Sequence, residues 1–358
     1  MCQNCLTIAA TSTEELGGKF VNWINGSAMT MMCSIGHRTG LFDALSGLDW
    51  STSDQIADAA DLNERYVREW LGAMVTGGLV DYNPDTKTYK LPTEHAALLT
   101  RSASPNNLAS VAQWVSVLGE VESDVVECFR NGGGVPYERY SRFHPVMAEE
   151  SGQSVVSSLE EHILPLVPGL IAELEAGIDV IDFGCGSGWA MVALAQRFPA
   201  STFRGIDISE EAVTAASRKA GSLGLRNVTF DVVDAASLGE RNRYDLVTAF
   251  DIVHDQADPE STLRSMHSCL KPGGSLLMQD IKMSTPVEAN VDNMFGPFIY
   301  TISTMHCMTV SLAQGGRGLG AAWGRELALE MLGDAGFSGI AVNELDHDEL
   351  NYFYVSQK

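Results

Sequence analysis

Residues 179–188 read Asp-Val-Ile-Asp-Phe-Gly-Cys-Gly-Ser-Gly, an apolar run that meets an acid and then carries a glycine at every second position. This order is typical of a buried parallel strand that passes through a tight turn into a helix. The helix is predicted over 189–198, where apolar residues fall at helical spacing. Gly184, Gly186 and Gly188 lack the Cβ atoms that would hold a ligand away from the backbone. The stretch therefore predicts a ligand site across the end of a strand.

Acidic residues accompany the predicted strands of this region. Asp182 lies in the first strand, and Asp207, Asp234 and Asp251 come directly after the next three. Asp207 is placed to accept hydrogen bonds from both hydroxyls of a ribose. The third glycine comes one residue early for the dinucleotide pattern G-x-G-x-x-G, and acids at successive strand ends suit a cationic ligand better than a pyrophosphate. S-adenosylmethionine, with its ribose, adenine amino group, ammonium and sulfonium, is the ligand we infer, and a nicotinamide dinucleotide is the alternative.

The second part of the chain, over residues 150–358, resembles the class I S-adenosylmethionine-dependent methyltransferases. The resemblance depends on the motifs Asp182–Gly188, Gly205–Ser209, Asp234-Ala235 and Leu270–Gly274. It implies S-adenosylmethionine as cofactor and S-adenosylhomocysteine as product, with the glycine loop against the methionine and ribose portions. The predicted cofactor-binding residues are Asp182, Gly184, Cys185, Gly186, Gly188, Asp207, Ile208, Asp234, Ala235 and Asp251.

Strands and helices alternate along this part, which predicts an α/β fold with a Rossmann-like, mostly parallel sheet covered on both faces. The resemblance implies seven strands. Helices are predicted over 154–175, 210–223, 259–270, 291–312 and 324–335, and further strands over 202–206, 228–233, 246–250, 274–280, 337–342 and 351–356. Pro165 and Pro168 are expected to divide the first of these helices.

The first part of the chain reads as helix, turn, helix and hairpin, the order of a winged helix. The predicted helices cover 13–37, with a possible break at Gly26, and 41–48, 54–60 and 64–76; the hairpin strands cover 79–82 and 88–91. Such a domain can bind DNA, but the recognition helix carries only Arg65 and Arg68, offset by Glu64 and Glu69. It resembles the N-terminal domain of small-molecule O-methyltransferases, including the plant-type enzymes, which implies a homodimer.

Three regions are therefore expected. They are a winged-helix-like dimerisation domain over 1–100, a helical connector and lid over 101–150, and the methyltransferase domain over 151–358. The aromatic cluster around Tyr137 and Phe143 is explained either by core packing or by a lid over the site. The insertion over 281–323 is rich in methionine and aromatic residues, which suit an apolar pocket as well as packing. The predicted acceptor-binding residues are Tyr140, His144, Phe298, Met305 and His306.

Composition limits the possible partners. The 358 residues include 23 Lys and Arg against 46 Asp and Glu, a formal net charge of −23. Such a surface repels nucleic acid phosphates and anionic membranes, so neither is an expected partner. Seven scattered cysteines, among them a lone Cys-x-x-Cys at Cys2 and Cys5, form no legible disulfide framework or zinc site. With no apolar run of membrane-spanning length and no leader pattern, a cytoplasmic protein is expected.

His254, just past the strand over 246–250, is the predicted general base. Methyl transfer from a sulfonium needs no acid to expel the leaving group, but a hydroxyl acceptor must lose a proton. His254-Asp-x-x-Asp258 resembles the plant-type O-methyltransferases, whose matching histidine removes that proton, although Gln256 stands where those enzymes usually have tryptophan. A structural histidine is the alternative. No metal is expected, because the spacing of Asp251, Asp255 and Asp258 is weak evidence for one.

These observations predict a methyltransferase that acts on a small, largely apolar acceptor, at a hydroxyl oxygen before sulfur, nitrogen or carbon. The alternative is a winged-helix transcriptional regulator that senses S-adenosylmethionine.

Overall fold

The computed structural model describes residues 12–105 and 107–358, which form two compact units that divide between Gly119 and Glu120. The Cys-x-x-Cys at Cys2 and Cys5 lies outside the described residues. Within the described ranges, no single helix is both long and apolar enough to cross a membrane, and one bent pair, Phe143–Leu166 with Leu170–Ala176, passes that test by length and composition only.

The first unit is helical and carries one antiparallel hairpin. Its elements are α1 (Thr13–Thr39), α2 (Leu41–Ser46), α3 (Ser53–Ala60), α4 (Glu64–Thr76), β1 (Asp81–Asn83), β2 (Thr88–Lys90), α5 (Thr93–Leu99), α6 (Leu108–Val111) and α7 (Gln113–Gly119). Thr52 and Gln55 form a capping box that begins α3. Trp70, Leu71 and Met74, at helical spacing on α4, are buried in the core of the unit. The predicted order of a winged helix is confirmed, and α1 continues through Gly26 without a break.

The second unit alternates strands and helices. Its elements are α8 (Glu122–Asn131), α9 (Phe143–Ser154), α10 (Leu170–Ala176), β3 (Asp179–Phe183), α11 (Trp189–Arg197), β4 (Thr202–Asp207), α12 (Glu210–Ser222), β5 (Val228–Val232), β6 (Tyr244–Phe250), α13 (Pro259–Cys269), β7 (Leu270–Ile281), α14 (Gly296–Ile302), α15 (Met308–Ala313), α16 (Gly324–Ala335), β8 (Ser338–Leu345) and β9 (Asp348–Gln357). Short 3-10 turns at Tyr137–Arg139, Ala235–Ser237 and Val253–Asp255 lie between them.

One seven-stranded sheet organises this unit, in the order β5-β4-β3-β6-β7-β9-β8. Strands β3 to β7 are parallel, whereas β9 pairs antiparallel with both β7 and β8. The predicted Rossmann-like, mostly parallel sheet of seven strands is confirmed. Strand order reverses between β3 and β6, and in such sheets ligands bind beyond the carboxyl ends of the strands at this switch point.

Two predicted helices are wrong in extent. The one over 154–175 is replaced by α9, which ends at Ser154, then by 3-10 and π turns over 156–166, and then by α10. Pro165 lies in the last of these turns, where proline has no N–H to continue a helix. The helix over 291–312 begins only at Gly296, and a π turn at Ser303–Cys307 separates α14 from α15. An extra residue in one turn leaves no clear signal in sequence periodicity.

Candidate active site

The loop between β3 and α11 needs its three glycines for two different reasons. Gly184, Gly186 and Gly188 have φ of +66°, +50° and +72°. A Cβ at Gly184 would lie 2.6 Å from the Ile252 side chain, and one at Gly188 would lie 2.6 Å from the Phe230 ring. A Cβ at Gly186 would meet no atom of the described chain within 4 Å. Packing therefore requires Gly184 and Gly188, whereas Gly186 faces open space from which a ligand can approach the backbone.

Asp207 joins the end of β4 to this loop. Its Oδ2 accepts a hydrogen bond from the Gly186 N–H at 2.9 Å, and its Oδ1 accepts one from the Ser209 N–H at 2.8 Å. A carboxylate has about four acceptor positions, so this half-buried side chain can still accept from the hydroxyls of a ribose. Ile208, 59% exposed, adds an apolar surface beside the carboxylate.

Asp182 and Cys185 make internal contacts beneath the loop. The buried Asp182 carboxylate accepts a hydrogen bond from the Thr248 hydroxyl at 2.6 Å. Burial raises the pKa of Asp182 to about 7, and the bond from Thr248 opposes that rise. The Cys185 side chain packs so closely on Gly205 that a Cβ there would come within 2.7 Å of the sulfur. Burial also raises the pKa of the Cys185 thiol well above its ordinary value.

Asp234 and Ala235 follow β5 at the edge of the sheet. Asp234 is exposed, and its Oδ1 accepts the Ala236 N–H at 2.9 Å, which begins the short turn Ala235–Ser237. Ala235 is buried. The Asp234 carboxylate therefore remains accessible to a ligand that lies along the strand ends.

Asp251 follows β6 in a left-handed conformation, with φ of +55°. Its Oδ2 accepts from the Gln279 side-chain amide at 3.0 Å. Its Oδ1 is buried and has no hydrogen-bond partner among the described residues. Burial, and then the neighbouring Asp280, raise the pKa of Asp251 well above its ordinary value. A left-handed aspartate with a buried, unsatisfied oxygen is a costly arrangement, and such arrangements concentrate at functional sites.

His254 is buried one turn after β6, and its Nδ1 lies 2.8 Å from Asp280 Oδ1. The same oxygen accepts the Trp323 indole N–H at 2.9 Å. Burial by itself lowers the pKa of His254, but the Asp280 carboxylate and the hydrogen-bonded Cys307 side chain outweigh burial, so the pKa stands well above the ordinary imidazole value. The arrangement is a buried imidazole held by a carboxylate.

Asp280, the partner of His254, is a candidate site residue that was not predicted from the sequence. It lies near the end of β7, which is the parallel neighbour of β6 in the sheet. The rule that located Asp207, Asp234 and Asp251, an acid at the end of a parallel strand, applies equally to Asp280. That signal was available in the strand predicted over 274–280.

The segment 137–144 contacts residues next to both the loop and the base. The Tyr137 hydroxyl donates to Asp255 Oδ2, beside the candidate base. The Tyr140 hydroxyl donates to the Met305 carbonyl at 2.5 Å. His144 Nε2 lies 3.2 Å from the hydroxyl of Ser209, which caps α12. The aromatic cluster thus packs against the strand ends that carry Asp207 and His254.

His306 is buried in the π turn Ser303–Cys307 and is surrounded by aromatic rings. Phe143 stacks on it with ring centroids 4.2 Å apart and an interplanar angle of 11°. Tyr137 and Tyr140 meet it edge-on at 5.4 Å and 4.8 Å. Burial, followed by the charges of His254 and His144, lowers the pKa of His306 to about 3. His306 is therefore neutral, and it anchors segment 137–144.

Met305 and Phe298 lie on the outer side of the same region. Met305 lines an apolar groove of about 380 Å³ with Val126, Phe129 and Tyr300. Phe298 is half-buried on α14, and none of the contacts described here for His254 involves it. The structure therefore brings Tyr140, His144 and His306 together around Phe143, and it places the Met305 side chain in a groove with residues of α8.

In a DNA-binding winged helix, α4 would be the recognition helix. Its charged side chains, however, already form ion pairs with one another. Arg65 lies 2.5 Å from Glu69, and Arg68 lies 3.3 Å from Glu64, in ion pairs on the helix surface. Nucleic acid phosphates bind to Lys and Arg side chains that are not already held in ion pairs within the protein. The helix therefore gives little support to DNA binding.

The strand-end residues fit S-adenosylmethionine. Gly186 leaves open space above the backbone, Asp207 retains acceptor positions for a ribose, and Asp234 is accessible for an amino group. Acidic side chains at this edge suit a ligand with a sulfonium and an ammonium group.

Comparison with known protein families gives two matches. Residues 27–101 match the Rv2258c-like winged HTH domain, and residues 174–315 match a methyltransferase domain. Among curated relatives, ubiquinone biosynthesis O-methyltransferases from Leptothrix cholodnii and Pseudomonas fluorescens are each 33% identical over 107 and 108 residues. Those matches cover 29% and 30% of this chain and 45% of each relative, so the chain spans less than half the length of these relatives.

Solved structures match over nearly the whole chain. An O-methyltransferase family protein from Burkholderia thailandensis has a TM-score of 0.68 at 16% identity and covers 98% of this chain and 99% of its own. Human N-acetylserotonin methyltransferase, solved with S-adenosylmethionine, gives the same TM-score, identity and coverage. At this identity the likeness establishes the fold.

The fold and the glycine-loop site define a class I methyltransferase, the S-adenosylmethionine-dependent class. More particularly, the chain carries a methyltransferase domain that follows an Rv2258c-like winged helix-turn-helix domain. The class predicted from the sequence is confirmed, and S-adenosylmethionine is the cofactor of that class.

Proposed function

We propose that this protein methylates a hydroxyl oxygen of a small, largely apolar molecule, with His254 as the general base. The observation that carries the proposal is the buried His254–Asp280 pair at the carboxyl edge of the parallel strands. The curated relatives are named O-methyltransferases, which favours oxygen over sulfur, nitrogen or carbon as the accepting atom.

The cofactor would be held by the loop around Gly186, by Asp207 and by Asp234. When bound, S-adenosylmethionine supplies an activated methyl group on a cationic sulfur. The chain's own residues then have to orient the acceptor, exclude water and remove the hydroxyl proton. Burial of the site favours attack by an oxygen anion on a sulfonium, because charge disappears in the transition state.

His254 can remove that proton because Asp280 fixes its tautomer. In the neutral imidazole, with Nδ1–H donating to Asp280, Nε2 carries the lone pair that accepts the hydroxyl proton. Because the pKa of His254 is raised, this neutral form gains population as the pH rises. The buried carboxylate then stabilises the imidazolium that forms. The Trp323 indole N–H holds the carboxylate in place through the shared oxygen. Asp280 is thus a positioning residue, and His254 is the residue that contacts the reacting group.

The proposal is tested with purified full-length protein, S-adenosylmethionine labelled at the methyl group, and a panel of phenols, hydroxy acids, thiols and amines. We expect label to enter at least one hydroxylated aromatic acceptor as a methyl ether. Label confined to thiols or amines would contradict oxygen as the accepting atom. No transfer together with salt-dependent binding of genomic DNA fragments would favour the regulator instead.

We also propose that the protein is a homodimer formed through α1. Leu16, Phe20, Trp23, Ile24, Met31 and Ile35 are between 44% and 66% exposed on this helix. Residues 20–36 contain no charged side chain, whereas the chain as a whole carries −23. Two copies with the same large negative charge can approach most easily through an uncharged apolar face.

A further inference from the structure

Three side chains around the candidate base bring potential metal ligands together. One ligand atom each from Asp251, His254 and Asp280 lies within 4.8 Å of the other two. The residues come from the ends of the neighbouring strands β6 and β7 and from the turn after β6. Two carboxylate oxygens and an imidazole nitrogen are a ligand set that suits Zn²⁺.

Two oxygens of this cluster are unsatisfied. Asp251 Oδ1 and Asp280 Oδ2 are both buried, and neither has a hydrogen-bond partner in the described part of the chain. Asp280 itself is 1% exposed. A proton or a cation between buried carboxylates in such proximity lowers their mutual repulsion.

We propose that Asp251, His254 and Asp280 form a binding site for a divalent transition-metal cation, with Zn²⁺ as the best fit. In a tetrahedral site with bonds of about 2.1 Å, ligand atoms are about 3.4 Å apart. His254 Nδ1 and Asp280 Oδ1 are already 2.8 Å apart, so small side-chain rotations suffice to surround an ion. Mg²⁺ fits less well, because it prefers octahedral oxygen coordination and retains water.

Zn²⁺ binding at this site and the action of His254 as a general base exclude each other. A metal bound at Nδ1 takes the place of the proton on that nitrogen, and the single N–H proton of the neutral imidazole then occupies Nε2. His254 can no longer accept a proton from a hydroxyl, so Zn²⁺ acts as an inhibitor. This consequence rests on the proposed function, whereas the binding itself does not.

The test is calorimetric titration of Zn²⁺ into the full-length protein after dialysis against a chelator, without any acceptor. We expect one high-affinity ion per chain, and at least tenfold weaker binding in Asp251→Asn and in His254→Gln. Circular dichroism shows whether either variant fails to fold. Because the two variants are at different positions, one of them can still test the proposal if the other misfolds. In a parallel methyl-transfer assay, EDTA should reverse the inhibition by Zn²⁺.

Matched variants separate this site from other possible Zn²⁺ ligands. Cys307→Ser removes the thiol that is hydrogen-bonded to His254. His162→Gln breaks the pair of His162 and His347, whose ring centroids are 4.5 Å apart. A Cys2→Ser, Cys5→Ser double variant removes the Cys-x-x-Cys motif. Binding should survive in all three. Absence of Zn²⁺ uptake by the unmodified chain, or uptake that Asp251→Asn leaves intact and one of these controls abolishes, would overturn the proposal.

Discussion

Asp280 and His254 are 26 residues apart in the sequence, and Asp280 Oδ1 lies 2.8 Å from His254 Nδ1 inside the second unit. The contact exists because β6 and β7 are parallel neighbours, so their carboxyl ends meet at one edge of the sheet. A buried histidine paired with a buried carboxylate is an arrangement that can move a proton.

Replacing His254 by alanine should lower turnover by roughly a hundredfold or more, because the acceptor loses the group that removes its proton. Cofactor affinity, measured by calorimetry, should stay nearly unchanged, and added imidazole should restore part of the rate. His267→Ala, a half-buried histidine on α13, is the matched control. A His254→Ala protein with the turnover of the wild type would contradict the assignment of His254 as the general base.

Asp280→Asn should lower turnover by roughly a hundredfold or more with little change in cofactor affinity. The amide N–H₂ of the introduced asparagine can donate to His254 Nδ1, which would place the imidazole proton on Nε2. Nε2 would then have no lone pair to accept the proton of the acceptor hydroxyl. Steady-state kinetics should therefore show a fall in kcat larger than any rise in KM. Asp258→Asn, at an exposed helix cap, is the control, since asparagine caps a helix as well as aspartate. Equal rates for the two variants would contradict the positioning role of Asp280.

Two glycines of the loop should respond differently to alanine. Gly186→Ala places its methyl group in open space, so we expect a modest loss of stability, about 1–2 kcal/mol from the left-handed backbone, and roughly tenfold weaker cofactor binding. Gly188→Ala should lose about 1–3 kcal/mol more, because its methyl group would collide with the Phe230 ring. Thermal unfolding and calorimetry measure both effects. A Gly186→Ala protein that binds the cofactor normally would contradict the assignment of the open face.

Stability should depend on pH through His306. Its pKa is lowered to about 3 in the folded state, so the unfolded chain binds a proton first as the pH falls. The stability that this group contributes is present above its unfolded value, about 6.5, and is lost as the pH falls toward 3. We expect wild type to lose up to about 1.4 kcal/mol per pH unit relative to His306→Phe, which keeps an aromatic ring beside Phe143. Parallel pH curves for the two proteins in urea unfolding would contradict the neutral state of His306.

The exposed face of α1 should control association. Trp23→Glu introduces a charge into an apolar stripe, so light scattering should show at least a tenfold rise in the dimer dissociation constant. Tyr66→Glu, a change at a side chain that is 80% exposed on α4, is the control and should leave association unchanged. A wild-type protein that is monomeric at all concentrations would refute the proposed homodimer.

Features set by local chemistry could be predicted from the sequence. The bounds of α4 and α16 agree with the predicted helices over 64–76 and 324–335, because apolar spacing and turn residues at both ends define them. Prediction failed over 154–175, where side-chain spacing favours a helix but 3-10 and π turns replace half of it.

The sequence by itself determined the class of fold, the glycine loop and the acids that follow successive strands, because each depends on residues within one strand–turn–helix unit. Only the tertiary structure decided that Asp280 is the partner of His254, that Phe230 packs against Gly188, and that His306 is a buried neutral anchor. These relationships arise from which strands and turns become neighbours in space, and no local spacing of residues records that.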